Sequence, residues 1–268
     1  MKTISELINL EGRKAVITGA TGGLGRHIAS TIVELGGDII MVDMPGSDYS
    51  SLTSDLRKIN NVDIQHIDCN LEDKDERSNL ITNIIKDHNK GIDILINNAA
   101  FGGTSNLSGW ATKFEDQSVD TWRRAIEVNL TAVFDLSKGL SDLLRKTGNG
   151  SIINIASIYG VHGPDLSLYE GTEMGNPAAY AASKGGLVQL TRWLATVIAP
   201  DVRVNTISPG GIWRNQPSKF VKRYESRTPL KRMATEEDFK GIVAYLASDL
   251  SSYVTGQNIL VDGGWSVW

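Results

Sequence analysis

One cysteine, Cys69, is all the chain contains, so no intramolecular disulfide can staple it and a reducing compartment suits it. Cys69 follows the strand-like run VDIQHID (62–68), where a small buried thiol is the ordinary expectation. Histidine is sparse too: His27, His66, His88 and His162 are scattered without metal-ligand spacing, and no metal site is expected. A basic excess is missing. With 27 Lys and Arg against 31 Asp and Glu, the net charge is −4 and the pI about 5.6, which removes any general attraction to nucleic acid or anionic membranes. Long apolar runs are absent as well. The opening MKTISELINLEGRK is too polar for a secretory leader, and no later window reaches the length of a membrane span, so a soluble cytoplasmic protein is expected. No repeat, low-complexity tract or linker divides the 268 residues, of which 41% are hydrophobic, enough for a sizeable core.

What is present is a recurrence of short apolar runs: KAVITG (14–19), DIIMVD (38–43), VDIQHID (62–68), IDILINN (92–98), SIINIAS (151–157), VRVNTIS (202–208) and NILVD (258–262). They alternate little between apolar and polar, as strands covered on both faces do. Between them lie segments of helical spacing, such as Leu24, Ile28, Ile32 and Leu35, or Leu187, Leu190 and Leu194. The pattern predicts an α/β fold with a doubly wound, seven-stranded parallel sheet, an eight-stranded barrel being the competing topology. The expected organisation is one domain over 1–268, with a small substrate-side extension at about 211–234. There Trp213, Phe220, Tyr224 and Trp265 either line a pocket or pack a surface lobe.

Directly after the first run comes TGATGGLG (18–25), leading into a helix. Glycines at 19, 23 and 25 let the backbone turn tightly and approach a pyrophosphate, whose charge then sits at the helix N-terminus. A plain strand-to-helix turn is the alternative. The second strand ends at Asp43, where a carboxylate accepts from ribose hydroxyls and repels a 2′-phosphate; neither Met44 nor Thr21 and Gly22 supplies a cation to hold such a phosphate. NAD is therefore expected over NADP. Asp68 ends the third strand and suits either an adenine amino group or a helix start. NNAA (97–100) ends the fourth, with small residues that permit close backbone approach.

Tyr180 and Lys184, in YAASK, stand one helical turn apart and so share a face. A phenol of pKa near 10 is poorly matched to proton transfer at neutral pH unless a cation stands beside it, and Lys184 is placed to be that cation. Asn176 and Pro177 read as the N-cap and first residue of this helix. Ser157 ends the fifth strand, at the edge where ligands of such sheets bind; a strand-end cap is its other reading. Asn129 lies inside a long helical segment, an unfavourable place unless its amide or local backbone has a task.

TGATGGLG, NNAA, VNL (128–130), IINIAS (152–157), YAASK, SPGGI (208–212) and TGQNILVDGG (255–264), in this order and spacing, resemble the short-chain dehydrogenase/reductase family over the whole chain. The resemblance implies a catalytic set of Asn129, Ser157, Tyr180 and Lys184, with Lys184 also holding the nicotinamide ribose and Asn129 relaying to it through water. It implies a cofactor site at Gly19, Thr21, Gly22, Gly23, Leu24, Gly25, Asp43, Asp68, Cys69, Asn98, Ala99, Ala100, Tyr180, Lys184, Pro209, Gly210 and Ile212. It also implies a homotetramer or homodimer joined through the Tyr180 helix, with Gly185 and Gly186 allowing close packing, and through the C-terminal VDGGWSVW, where Trp268 would reach a neighbour.

Departures from the family pattern bear on the substrate. Ala100 replaces a usual glycine, and Arg214 stands where many relatives carry threonine; it suits a pyrophosphate, an anionic substrate or plain solvent. The connections 97–129 and 157–180 are longer than in compact relatives. The second holds Asp165, Tyr169, Glu170, Thr172 and Glu173, suited to a hydroxylated small molecule unless the loop is merely mobile and acidic. Its YEGT, followed by Met174 and Pro177, is similar to bacterial oxidoreductases of flagellin and cell-surface sugar modification, which implies a sugar or sugar-derived substrate. The expected activity is NAD(H)-linked interconversion of a secondary alcohol and a ketone. The alternatives are an NADP(H)-dependent reductase of acyl or other small ketones, and a non-catalytic NAD-binding regulatory protein.

Overall fold

The computed structural model describes residues 1–102, 105 and 107–268. Its strands are β1 (Lys14–Thr18), β2 (Asp38–Asp43), β3 (Ile64–Asp68), β4 (Ile94–Asn97), β5 (Gly150–Ile155), β6 (Val202–Pro209) and β7 (Asn258–Val261). They form one seven-stranded sheet in the order β3-β2-β1-β4-β5-β6-β7, with every neighbouring pair parallel. The sheet has two open edges, β3 and β7, so the barrel topology is set aside.

The low alternation of the strand runs has a direct cause. Successive side chains point to opposite faces, and both faces are apolar because both are covered. Ile17, Met41, Ile96 and Ile153 enter one core beside Ile28, Ile32 and Phe239, while Val16, Ile40, Leu95 and Ile152 enter the other beside Leu80, Leu136 and Leu194. The helices that supply these covers are α2 (Gly23–Glu34), α3 (Tyr49–Ile59) and α10 (Lys240–Ala247) on the first face. On the second they are α4 (Lys74–Asp87), α6 (Ala132–Gly139), α7 (Ser141–Lys146) and α8 (Ala178–Val197). A short α1 (Ile4–Ile8) precedes β1, and α5 (Val119–Ile126) runs into α6 through a π-helical turn at Glu127–Thr131. None of the described helices is long and apolar enough to cross a membrane.

From β1 the chain winds outward to β2 and β3, then returns to place β4 on the other side of β1. The loops after β1 and β4 therefore leave the sheet in opposite directions and open a crevice between them, at the carboxyl ends of the strands. Beyond β6, the segment 211–234 carries α9 (Ser218–Arg227) and is closed at its base by an Ile212–Ala234 bridge. Phe220, Tyr224 and Trp265 are buried there with Ile158, Leu168 and Met233, so these aromatics pack a small lobe of their own; Trp213 is 51% exposed.

Candidate active site

The glycine turn is held by backbone proximity that no other residue permits. Gly19 has φ of +64°, and a β-carbon on it would fall 2.9 Å from the Ala99 Cα. A β-carbon on Gly25 would fall 2.0 Å from the Gly19 carbonyl oxygen, far inside contact distance. Gly22 caps α2 without any side-chain bond, so the opening N–H groups of this helix face the crevice without a capping side chain. Thr18 and Asn98 tie the two loops together. The Thr18 hydroxyl accepts from Asn98 N and Ala99 N at 3.0 and 3.1 Å, and Asn98 Nδ2 donates to the carbonyls of Thr18 and Gly19 at 3.1 and 3.0 Å.

A crevice of about 500 Å3 runs between these loops, lined by Gly19, Thr21 to Gly25, Asp43, Cys69 and Asn98 to Ala100. Asp43 is fixed in its wall: one oxygen accepts from Thr21 N and Oγ1 at 2.8 and 2.7 Å, the other from Met44 N at 2.9 Å. Cys69 is buried, and loss of solvent pushes its thiol up to about 11, so it is inert at neutral pH. Six residues of the expected cofactor set do not line this crevice: Asp68, Tyr180, Lys184, Pro209, Gly210 and Ile212. Asp68 lies exposed on the outer side of the sheet, and it does not start α4, whose N-cap is Asp73. Pro209, Gly210 and Ile212 stand at the end of β6 against the 211–234 lobe, where Gly210 packs on Asp262 and Tyr224.

The crevice ends at Phe101 and Val128, and the expected catalytic set begins there. Asn129 is fully buried in the π-helical turn, which answers why an asparagine sits inside a helix: the widened turn carries it, and its amide clamps the loop after β4. Its Oδ1 accepts from Phe101 N at 2.8 Å, and its Nδ2 donates to Phe101 O and Ser183 Oγ at 3.1 and 3.0 Å. Ser157 is 6% exposed and accepts from Tyr159 N at 3.2 Å as a cap, and its hydroxyl lies near enough to Tyr180 to favour the ionised phenol. Burial pushes Tyr180 above the ordinary phenol range, and Ser157 pulls it partly back. Lys184 is 3% exposed, with Nζ 5.8 Å from the centre of the Tyr180 ring and donating to Ile155 O at 2.7 Å. With no carboxylate partner among the described residues, it is driven by burial down to about 7. Ser157, Tyr180 and Lys184 thus form one group of proton donors and acceptors at the end of β5.

One expectation around this group is corrected. Pro177, not Asn176, is the N-cap of α8; it has no side chain able to bond, and Gln117 Oε1 instead accepts from Ala178 N at 3.0 Å. β-carbons on Gly185 and Gly186 would meet neighbours in the same chain, the Gly160 carbonyl at 3.3 Å and the end of Leu130 at 2.8 Å. Trp268 donates its indole N–H to Arg227 O of its own chain at 3.1 Å. The polar set of the 158–177 connection is largely spent on itself. Asp165 pairs with Arg227 and caps Ser167, Thr172 donates to Tyr169 O, and the Tyr159 and Tyr169 hydroxyls bond each other at 2.8 Å.

Thr18 and Ser183 have tasks that their motifs do not show, and a buried relay, Asn97–Asn154–Thr191–Thr206, runs under the site. Its links of 2.9, 2.8 and 2.7 Å join β4, β5, β6 and α8. The available signal was polar residues within otherwise apolar strand and helix faces, which a core admits only when they bond each other.

A family model described as Enoyl-(Acyl carrier protein) reductase matches residues 19–266. The 3-oxoacyl-[acyl-carrier-protein] reductase FabG of Thermotoga maritima is 31% identical over 264 residues, covering 96% of this chain and 99% of the relative. A short-chain dehydrogenase of Leptospira borgpetersenii, solved with bound NAD+, is 33% identical with a TM-score of 0.83, covering 99% of this chain and 96% of that one. A structure from Beutenbergia cavernae, provisionally named NAD(P)-dependent gluconate 5-dehydrogenase and holding NADP at low occupancy, is 30% identical with a TM-score of 0.85. That match covers 97% of this chain and 99% of the other.

Proposed function

Because the chain belongs to the short-chain dehydrogenase/reductase family of oxidoreductases, we propose that it interconverts a hydroxylated secondary alcohol and its ketone with NAD(H). The observation that carries this is the convergence of Ser157, Tyr180 and Lys184 beside a crevice whose glycine turn, uncapped helix start and Asp43 suit a dinucleotide. A nicotinamide bound there takes up or supplies the hydride. Tyr180 moves the proton at the substrate oxygen, Ser157 holds that oxygen, and Lys184 steadies the phenolate and the ribose. Asn129 acts by fixing Phe101 at the junction of crevice and site.

NAD is favoured over NADP because Asp43 is anchored through both oxygens and presents a negative charge where a 2′-phosphate would sit. Arg26, which reaches the glycine turn, is engaged with Thr21 O and Asp48. A sugar-like or polyol substrate is supported by the lengthened 158–177 connection and by the gluconate dehydrogenase likeness. The name of the Thermotoga relative favours a second reading, reduction of an acyl ketone. Nicotinamide absorbance with NAD or NADP against polyols, sugar acids and nucleotide sugars, and with NADH or NADPH against 3-oxoacyl thioesters, separates the two. Turnover of a polyhydroxylated compound with NAD supports the first; turnover confined to a 3-oxoacyl thioester with NADPH overturns it. Tyr180→Phe is expected to abolish turnover and keep NAD binding.

A further inference from the structure

Of the three settings open to Arg214 from its sequence position, the structure puts it against the glycine turn. A β-carbon on Gly23 would lie 3.0 Å from Arg214 Nη2, 3.2 Å from its Cζ and 3.0 Å from Glu236 Oε1, so guanidinium and carboxylate both rest on the opening turn of α2. Both Nε and Nη2 of Arg214 reach the same oxygen, Glu236 Oε1, at 3.1 Å, and Glu236 is its only side-chain partner among the described residues. Gln216 aims the arginine: it accepts from Arg214 N at 2.6 Å and donates to Ile212 O at 2.7 Å, with Asn215 between them at φ of +57°. Arg214 also lines the crevice, and its charge reaches Tyr180, lowering the phenol against the effect of burial. It therefore stands between the glycine turn and the catalytic tyrosine.

We propose that Arg214 is a diphosphate clamp with a built-in place-holder, turning from the Glu236 carboxylate to the dinucleotide's phosphates when these settle on the glycine turn. The proposal rests on reading the crevice as a dinucleotide site. The chemistry favours the exchange. The Arg214–Glu236 pair is single-oxygen and Arg214 is 41% exposed, which makes it weak, whereas a diphosphate offers the planar guanidinium two acceptors and a fuller charge. Glu236 meanwhile places a negative group beside the helix start, where an anion is favoured, until the phosphates displace it.

Calorimetric titration with NAD, ADP-ribose and adenosine tests this on wild type, Arg214→Met, Glu236→Gln and the double variant. Arg214→Met is expected to weaken NAD and ADP-ribose by about tenfold or more, the loss of a charge-assisted bond to phosphate, and to leave adenosine unchanged. Glu236→Gln is expected to tighten NAD, and the double variant to match Arg214→Met. Wild-type affinity for ADP-ribose in Arg214→Met overturns the clamp, as does equal weakening of adenosine. Unchanged NAD affinity with a raised KM for an acidic substrate also overturns it and assigns the arginine to the substrate. Absence of NAD and ADP-ribose binding by the wild type is a different result, which removes the dinucleotide reading itself. Near-normal melting of each variant guards against a folding artefact.

Discussion

Lys184 shows how much one buried side chain sets. An ordinary lysine keeps its proton up to 10.5, yet burial brings this one down to about 7. Between those values the unfolded chain binds the extra proton, so stability contributed by this residue rises with pH through that window, and its penalty is complete below it. Lys184→Met is therefore expected to gain most in melting temperature near about pH 6, the gain shrinking toward about pH 10. The lost bond to Ile155 O costs about 1 kcal/mol at every pH, so the slope is the diagnostic quantity in thermal unfolding across pH. A flat difference would sink the assignment. Glycine is the other residue-scale lesson. Gly25→Ala forces a carbon against the Gly19 carbonyl, which is backbone, and should cost about 3 kcal/mol or more along with nucleotide binding. Gly186→Ala meets only the tip of the flexible Leu130 and should fold normally. Denaturant midpoints of the two variants make the comparison. Tyr180 and Lys184 were legible from spacing; the 2.0 Å approach at Gly25 was not, because a motif gives order along the chain and no distances.

Among the elements, the π-helical turn between α5 and α6 is the one that carries chemistry on an irregular backbone. Arg77 of α4, 2% exposed, holds it in place: Nη2 bonds Glu127 at 2.5 Å, Nε bonds Asp135 at 3.0 Å, and Nη1 bonds Leu71 O at 2.6 Å. One guanidinium thus joins the turn bearing Asn129 to the crevice wall at Leu71. Arg77→Met leaves two carboxylates facing each other, and because each is about a third exposed the expected cost is toward the low end for a broken buried pair, about 3 kcal/mol. A urea midpoint measures it; a loss under about 1 kcal/mol would show the triad to be incidental. The sequence placed Asn129 in a helix and noted its oddity, but the bulge that resolves the oddity depends on Arg77, 52 residues away.

On the scale of the whole molecule, Phe134 on α6 and Trp193 and Val197 on α8 remain exposed, a costly arrangement for an isolated chain and a reason to expect association. Trp193→Glu should shift sedimentation toward a smaller species; an unchanged profile would place any assembly on another face. These apolar side chains are what recommends α8 as an interface. The sequence by itself determined the parallel sheet, since runs such as DIIMVD are apolar on both sides only when helices cover both faces. It also determined the glycine turn, Asp43 and the Tyr180–Lys184 pair, because each is local: a turn, a strand end, one helical repeat. Tertiary structure alone decided that Arg214 and Glu236 meet on Gly23, that Arg77 braces Asn129, and that Phe220 and Tyr224 turn inward with Trp265 while Trp213 stays exposed. Those outcomes depend on which distant segments the crossovers bring together, and contacts of that kind leave no periodicity in the chain.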